Sequence, residues 1–160
     1  MSEIMLMRHA KSNHPAGMID RDRPLSGRGE RSATAIGGAI AAFGAEPEII
    51  LTSPARRAAD TAALARHGGG WSVPILDIEE LYGSGVGGVL DVLAGHATVN
   101  RILIVGHEPT WSTTVSTIIG GGSIHMVTAA VACIDTDLPA SPGSGWLRWM
   151  LHPRLLTTNP

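Results

Sequence analysis

The chain has 160 residues, of which 44% are hydrophobic and 16% are charged, a composition typical of a folded domain rather than a disordered chain. Its formal net charge of −2 argues against a nucleic-acid coat protein, which would need a basic surface. Apolar runs are far shorter than the roughly 20 residues that span a bilayer, and a single cysteine excludes an intrachain disulfide. The start at Met1–Glu3 carries no secretory signal pattern. We therefore expect one cytoplasmic domain over residues 1–160, with neither membrane nor nucleic acid as partner.

Short apolar runs predict the strands, and three of these runs are so apolar that both faces of each strand would be buried. The three runs cover residues 4–7, 48–52 and 101–105. Weaker strand patterns cover residues 73–76, 127–135 and 146–152. The last two patterns have no clear helix between them, so we expect one of them to be an antiparallel addition to the sheet.

Helices are predicted over residues 26–43, 53–66 and 86–96, with a further helix starting at Pro109. Ser26 is the expected N-cap of the first helix, and Ser53 followed by Pro54 is the expected start of the second. Strands that alternate with helices indicate an α/β fold whose mostly parallel sheet is covered on both faces. In such sheets, ligands bind outside the carboxyl ends of the strands.

Polar side chains follow each of the three buried strands. These strand ends are Arg8-His9, then Ser53-Pro54-Ala55-Arg56-Arg57, then Gly106-His107. If the strands are parallel and adjacent, two imidazoles and at least two guanidiniums meet at one edge of the sheet. Guanidinium groups bind phosphate oxygens with paired hydrogen bonds, so the cluster predicts a site for a small dianion.

The same residues also have plain structural interpretations. Histidines after strands are often hydrogen-bonded surface residues, Arg56 and Arg57 can be solvated helix charges, and Ser53 can be only a cap. A metal site through His9 and His107 is a further alternative. We disfavour it because the arginines would repel the cation and no carboxylate ligand is obvious.

Four short motifs, in chain order, resemble those of the histidine phosphatase superfamily. Leu6–Ala10 is similar to its Arg-His-Gly signature, with Ala10 replacing the glycine as in the SixA-type phosphohistidine phosphatase branch. Pro24–Gly29 resembles the Leu-Thr-x-x-Gly helix start of the family, and Ser53–Ala62 resembles its Ser-Pro-x-x-Arg-Ala-x-x-Thr-Ala element. Val105–Pro109 resembles its Gly-His-Asn-Pro element, with Glu108 replacing the asparagine.

The resemblance implies a three-layer α/β/α sandwich with a phosphoglycerate mutase-like fold, and a metal-independent phosphatase without a cofactor. It implies that His9 is the nucleophile and forms a phosphohistidine intermediate. It also implies that Arg8, Arg57 and His107 bind the phosphoryl oxygens. The pocket arginine of the family precedes the alanine of its motif, which selects Arg57 and makes Arg56 a surface neighbour.

Further residues are candidates for substrate contact and proton transfer. Ser12 and Arg23, in the loop after His9, are expected to bind substrate. For the charged stretch 20–23, which includes Arg21 and Arg23, salt bridges that anchor the loop are an equal alternative. Glu80, beyond the strand predicted over residues 73–76, is a candidate general acid for the leaving group. The alternatives are that Glu79 is the acid, or that no acid is needed and Glu80 is a solvated charge.

The expected substrate is phosphohistidine in a protein. No long insertion that would cap the pocket is visible in the chain, and an open pocket suits a phosphorylated side chain on a protein surface. One alternative is a small-molecule phosphomonoesterase. Another is a catalytically silent phosphate-binding module, which would keep the arginines without a competent nucleophile.

Overall fold

The apolar runs form one six-stranded sheet in the computed structural model, which describes residues 1–157. The strands are β1 (Ser2–Arg8), β2 (Ile49–Thr52), β3 (Ile75–Asp77), β4 (Arg101–Gly106), β5 (Val131–Thr136) and β6 (Trp146–Leu151). The helices are α1 (Gly27–Ala42), α2 (Arg56–Gly69), α3 (Gly85–Ala94) and α4 (Thr110–Ile118). Short 3₁₀ helices cover Asp20–Asp22, Glu79–Tyr82 and Pro153–Leu155.

The sheet has the strand order β3-β2-β4-β1-β5-β6, and its first four strands run parallel. β5 runs antiparallel to β1, and β6 runs antiparallel to β5. β5 is the antiparallel addition that the sequence predicts, and β6, which is antiparallel to β5, runs in the direction of the first four strands. After α4 the chain returns to the end of β1, where the N–H of Ala129 donates to the carbonyl of His9 at 3.1 Å. β5 therefore starts beside the end of β1 and runs back along it.

Each face of the sheet carries its own hydrophobic core, because successive strand residues point to opposite faces. Met5 and Met7 of β1 belong to a buried cluster that includes residues of α1 and α2. Ile4 and Leu6 belong to a second buried cluster that includes residues of α3 and α4. The sheet is thus the middle layer of an α/β/α sandwich, as predicted.

Glycines allow α1 and α2 to pack closely. A Cβ atom added to Gly37 would lie 1.9 Å from the carbonyl oxygen of Ala65. One added to Gly68 would lie 2.0 Å from the carbonyl oxygen of Thr34. No side chain fits at either position without moving the backbone, so these glycines allow the C-terminal half of α2 to pack directly against α1.

The predicted start of α2 is wrong. α2 begins at Arg56, with Ala55 as its N-cap residue, so Ser53 is not the cap and Pro54 is not the first helical residue. The Ser53 hydroxyl instead accepts the N–H of Ala55 at 3.2 Å and lies 2.8 Å from Nε2 of His107. Its contacts are thus to the turn and to the adjacent strand end, and not to the first turn of the helix.

Other helix ends agree more closely with the sequence. Ser26 is the N-cap of α1, as predicted, and its hydroxyl oxygen accepts the N–H of Gly29 at 3.1 Å. α2 ends at Gly69 rather than Arg66, and Gly70 follows it in the left-handed conformation with φ 68°. Within residues 1–157, no helix is both long and apolar enough to cross a membrane.

Candidate active site

The two predicted site histidines lie where the chain connections diverge from the sheet. From the end of β1 the chain leads to α1 on one face, and from the end of the adjacent β4 it leads to α4 on the other face. Such a point opens a ligand-binding crevice at the carboxyl ends of the strands. His9 and His107 follow β1 and β4 directly, and their ring centroids lie 5.3 Å apart. The strand ends therefore meet as the sequence predicts.

A cavity of about 240 Å³ opens beside the two imidazoles. Its lining contains four cationic side chains and one carboxylate. The lining residues are Arg8, His9, Lys11, Ser12, Arg23, Arg57, His107, Glu108 and Thr128. With neutral imidazoles, four positive charges against one negative charge give the lining a formal charge of +3, so the cavity attracts small anions.

His9 is a neutral imidazole with a defined tautomer. Its Nδ1 lies 2.8 Å from the carbonyl oxygen of Ala10, which can only accept, so Nδ1 carries the proton. Nε2 is left with its lone pair and accepts a hydrogen bond from Nε of Arg57 at 3.3 Å. Burial, together with the nearby charges of His107, Arg57 and Arg8, lowers the pKa of His9 to about 3. The ring is therefore uncharged at neutral pH.

His107 is held by hydrogen bonds at both ring nitrogens. Nη2 of Arg57 lies 3.4 Å from Nδ1, which assigns the lone pair to Nδ1 and the proton to Nε2. Nε2–H then donates to the hydroxyl oxygen of Ser53 at 2.8 Å. Burial, with further contributions from Arg57 and Arg8, lowers the pKa of His107 to about 4. The Tyr82 ring packs edge-on against the imidazole, with centroids 5.8 Å apart.

Two neighbouring arginines at the start of α2 have different surroundings. The side chain of Arg57 is 8% exposed, lines the cavity and contacts His9 through Nε. The side chain of Arg56 is 57% exposed and lies 3.5 Å from Asp60 one helical turn later. The arginine selected by the family motif is thus the one at the cavity.

Asp20, in the loop between β1 and α1, binds the guanidinium of Arg57. Its carbonyl oxygen accepts from Nη1 of Arg57 at 2.8 Å, and its Oδ2 accepts from Nη2 at 3.0 Å. Tyr82 donates its hydroxyl proton to the same Oδ2 at 2.8 Å. Burial alone would raise the pKa of Asp20, but hydrogen bonds from Tyr82, Arg23 and Arg57 lower it to about 2. Asp20 is therefore a carboxylate that fixes the orientation of Arg57.

The two predicted substrate-binding residues of the loop lie together at the cavity. Nη2 of Arg23 donates to the hydroxyl oxygen of Ser12 at 2.9 Å, and Nη1 donates to Oδ1 of Asp20 at 3.1 Å. Nε of Arg23 also donates to the carbonyl oxygen of Asn13 at 3.2 Å. These bonds connect the two ends of the loop that follows His9.

The segment before β5 supplies another part of the cavity. The carbonyl oxygen of Met126 accepts a hydrogen bond from Nη1 of Arg8 at 3.0 Å, and Thr128 lines the cavity. The strand predicted over residues 127–135 starts only at Val131, because residues 127–130 form a turn with Ala129 at φ 64°. This turn places the segment over the end of β1.

The candidate acids after β3 are not among the residues that line the cavity. Both carboxylate oxygens of Glu79 accept from Arg21, at 2.6 and 2.7 Å. Glu80 is exposed and does not belong to the cavity lining. The carboxylate that does line the cavity is Glu108, at the position where the family motif has asparagine.

The sequence left open whether the charged stretch around Asp20 anchors its loop by salt bridges or contacts substrate, and it gave no role to Tyr82 or Thr128. Residues 20–23 alternate between aspartate and arginine, and four consecutive charged residues of alternating sign weakly indicate a network of ion pairs. Tyr82 ends a short 3₁₀ helix and Thr128 lies in a turn, and no periodic pattern in the sequence marks either residue. Their proximity to the cavity depends on the tertiary fold.

Comparison with known proteins identifies the family. Residues 4–87 match the family model described as the histidine phosphatase superfamily (branch 1). The uncharacterized protein Rv1276c of Mycobacterium tuberculosis (strain ATCC 25618 / H37Rv) is 39% identical to this chain over 127 residues. That alignment covers 79% of this chain and 76% of the mycobacterial protein.

Solved structures share the fold over almost the whole chain. The protein histidine phosphatase SixA complexed with tungstate has a TM-score of 0.85 and 25% identity, over 97% of this chain and 99% of its own. The alpha-ribazole phosphatase from Shigella flexneri has a TM-score of 0.74 and 17% identity, over 95% of this chain and 97% of its own, and shares the fold. The chain therefore belongs to the histidine phosphatase superfamily, in its SixA-type branch, and is a phosphatase with a phosphoglycerate mutase-like fold.

Proposed function

We propose that this phosphatase removes the phosphoryl group from phosphohistidine in a protein, through a phosphohistidine intermediate on His9. The observation that carries the proposal is the state of His9, which is 8% exposed and neutral, with its Nε2 lone pair among cationic side chains. A neutral imidazole can attack phosphorus, whereas an imidazolium has no lone pair to donate.

In the first step, Nε2 of His9 attacks the phosphorus atom. An N–P bond forms while the bond from phosphorus to the leaving group breaks, and the leaving group keeps the electron pair. Nε of Arg57 exchanges its 3.3 Å hydrogen bond to Nε2 for one to a phosphoryl oxygen. The exchange is favourable because a charged oxygen is a stronger acceptor than a neutral ring nitrogen.

The side chains around His9 stabilise the transferring group. Arg8 and Arg57 balance the charge of the phosphoryl oxygens, and positioning and charge stabilisation supply most of the catalysis in phosphoryl transfer. His107 has a pKa of about 4 in the unliganded cavity, and a bound dianion favours its protonated form. Nδ1 of His107 takes a proton from solvent, gives up its 3.4 Å contact with Nη2 of Arg57, and donates to a phosphoryl oxygen.

In the second step, water attacks the phosphorus atom of the intermediate. The P–O bond forms, the N–P bond breaks, and Nε2 of His9 recovers its electron pair. One proton of the water stays on the new P–O–H group, and the other passes to a phosphate oxygen or to solvent. Nδ1 keeps its proton throughout, donated to the carbonyl of Ala10, so the phosphorylated ring is cationic and departs readily from phosphorus.

Phosphohistidine is the substrate whose leaving group needs no general acid from the enzyme. An alkoxide must receive a proton as it departs, whereas an imidazole already protonated on its other nitrogen leaves as a neutral ring. Glu80, the candidate acid, is exposed and outside the cavity lining. The similarity to a structure named protein histidine phosphatase SixA supports the same substrate class.

We further propose one domain over residues 1–160 with an uncapped cavity. Residues 53–55 connect β2 to α2, and residues 70–74 connect α2 to β3, so both connections are short. A cavity of this kind is accessible to a phosphorylated side chain on the surface of a partner protein.

The proposal is tested by phosphate release from a histidine-phosphorylated protein and from p-nitrophenyl phosphate, both in the presence of EDTA. We expect the wild-type enzyme to release phosphate from the protein, and the His9→Ala variant to lose this activity while keeping its fold by circular dichroism. His14→Ala is the matched control, because His14 is an exposed histidine outside the cavity.

Each alternative predicts a different pattern in this experiment. Activity on p-nitrophenyl phosphate alone would favour a small-molecule phosphomonoesterase. Phosphate binding without release from either substrate would favour a silent binding module. Loss of activity in EDTA that is restored by a divalent metal would contradict a metal-independent reaction.

A further inference from the structure

Glu108 is the negative charge in a cavity otherwise lined by cations and neutral groups. The family motif has a neutral asparagine at this position, so this chain adds a carboxylate close to the expected phosphate site. Within residues 1–157, Glu108 takes part in no ion pair. Its charge still acts on Arg8, because it opposes the lowering by burial of the pKa of that guanidinium.

The first turn of α4 holds the Glu108 carboxylate in place. Oε1 accepts the backbone N–H of Ser112 at 2.8 Å, and Oε2 accepts the hydroxyl proton of the same residue at 2.6 Å. The Ser112 hydroxyl in turn accepts the N–H of Met126 at 3.1 Å. Each carboxylate oxygen keeps a further lone pair, so Glu108 can accept another hydrogen bond without giving up its anchor.

A fixed carboxylate has opposite effects on two classes of substrate. For a phosphate ester, it repels the dianion and cannot donate a proton to the departing oxygen while it is ionised. For a phosphorylated nitrogen ring that carries an N–H, it is a charge-assisted acceptor. The carboxylate therefore favours the second class.

We propose that Glu108 is a specificity-determining residue that accepts a hydrogen bond from the N–H of a protonated nitrogen leaving group, and so selects phosphoramidates over phosphate esters. This inference rests on the proposed function. When the P–N bond breaks, the departing nitrogen keeps the electron pair. The other ring nitrogen keeps its proton, donated to Glu108, so a neutral imidazole leaves.

The Glu108→Gln variant tests this role, since it removes the charge and keeps the shape. We expect kcat/KM for the histidine-phosphorylated protein to fall about 5- to 10-fold, because the amide oxygen still accepts the N–H but without the negative charge that strengthens the bond. For p-nitrophenyl phosphate, kcat/KM stays within about twofold or rises. The dissociation constant of inorganic phosphate falls, because a like charge has been removed.

Three results would overturn the inference. An equal loss with both substrates would mean that Glu108 only supports the fold of the cavity. A larger loss with the ester would mean that it is a general acid. Weaker phosphate binding by the variant would mean that its charge does not oppose the bound anion.

Two controls separate the role of the Glu108 charge from the role of its anchor and from the proposed function itself. Ser112→Ala removes one anchor and keeps the charge, so we expect it to retain the preference for the phosphorylated protein over the ester. If the wild-type enzyme fails on phosphohistidine, the proposed function fails. The ratio of phosphoramidate to p-nitrophenyl phosphate hydrolysis in wild type and Glu108→Gln then decides the role of Glu108 independently.

Discussion

At the scale of the residue, the reactivity of His9 depends on where its proton lies. The carbonyl of Ala10 holds that proton on Nδ1, while Nε of Arg57 contacts the lone pair on Nε2. An ordinary surface histidine with a pKa of about 6.5 would be partly protonated at neutral pH. Burial prevents this protonation of His9, so the nucleophile is present in its reactive, neutral form.

The same burial predicts a pH-dependent stability. The pKa values of His9 and His107 are about 3 and about 4 in the folded chain, and an unfolded histidine titrates at about 6.5. Below pH 6.5 the unfolded chain gains protons that the folded chain does not, so the free energy of unfolding falls as the pH falls. We expect a loss of about 1–2 kcal/mol for each ring between pH 6.5 and 5 in urea titrations.

The His9→Asn/His107→Asn double variant is the control for this effect. Asparagine does not titrate, so the variant loses most of this dependence on pH even if its overall stability is lower. An equal slope in the wild type and the double variant would mean that other groups cause the dependence.

The adjacent arginines of α2 make a matched pair for mutation. Arg57 lines the cavity, whereas Arg56 is exposed beside Asp60. We expect Arg57→Ala to lower kcat/KM about 100- to 1000-fold, the usual effect of losing a donor to a charged transition state. Arg56→Ala should stay within about twofold in the same assay. A larger effect at Arg56 would mean that the residues of this turn are assigned in the wrong register.

At the scale of the element, the loop after β1 is tied to α2 through Asp20. Its carboxylate accepts hydrogen bonds from Arg57, Arg23 and Tyr82. We expect Asp20→Asn to lower kcat about tenfold, because Arg57 loses the partner that orients it toward the transition state. Steady-state kinetics on the phosphorylated protein measure this change.

Asp22 provides the comparison for Asp20, since it is an exposed aspartate of the same loop. Asp22→Asn should leave kcat within about twofold of wild type. If Asp20→Asn instead binds phosphate more tightly with kcat unchanged, the Asp20 carboxylate competes with substrate for Arg57 and does not position it.

The contact between α1 and α2 predicts different outcomes at two adjacent glycines. A Cβ atom at Gly37 would lie 1.9 Å from the backbone of Ala65, whereas one at Gly38 would lie 3.5 Å from the nearest atom. We expect Gly37→Ala to lower the free energy of unfolding by at least about 2–3 kcal/mol, because the helices must separate. Gly38→Ala should be neutral or stabilising by up to about 1 kcal/mol, from helix propensity.

Urea unfolding of both variants measures the difference. Similar stabilities for the two variants would show that α1 and α2 can separate without loss, and that Gly37 is not required for their contact.

At the scale of the whole molecule, the parallel sheet explains why distant motifs could be predicted to meet. His9, Arg57 and His107 each follow a buried strand, and parallel strands bring their carboxyl ends to one edge. Hydrophobic patterning therefore predicted the position of the site. The adjacent strands β1 and β4 then set the spacing of the two imidazoles.

Local patterns could not predict the contacts made by loops. Ser53 has the sequence context of a helix cap, yet its hydroxyl lies 2.8 Å from His107 across the strand ends. Asp20 and Tyr82 lie in short 3₁₀ helices, and they reach Arg57 and His107 only because the tertiary fold brings these segments beside the cavity. Such contacts depend on the tertiary path of the chain, so the spacing of residues along the sequence does not predict them.

The central claim is that His9 carries the phosphoryl group during turnover, and rapid quenching tests it most directly. The enzyme is mixed with a protein carrying a radiolabelled phosphohistidine, quenched in alkali, in which phosphohistidine survives, and mapped by mass spectrometry. We predict an acid-labile label on His9 that appears before free phosphate and is absent from His9→Ala. Release of phosphate with no label on the enzyme, or with the label on another residue, would contradict the account.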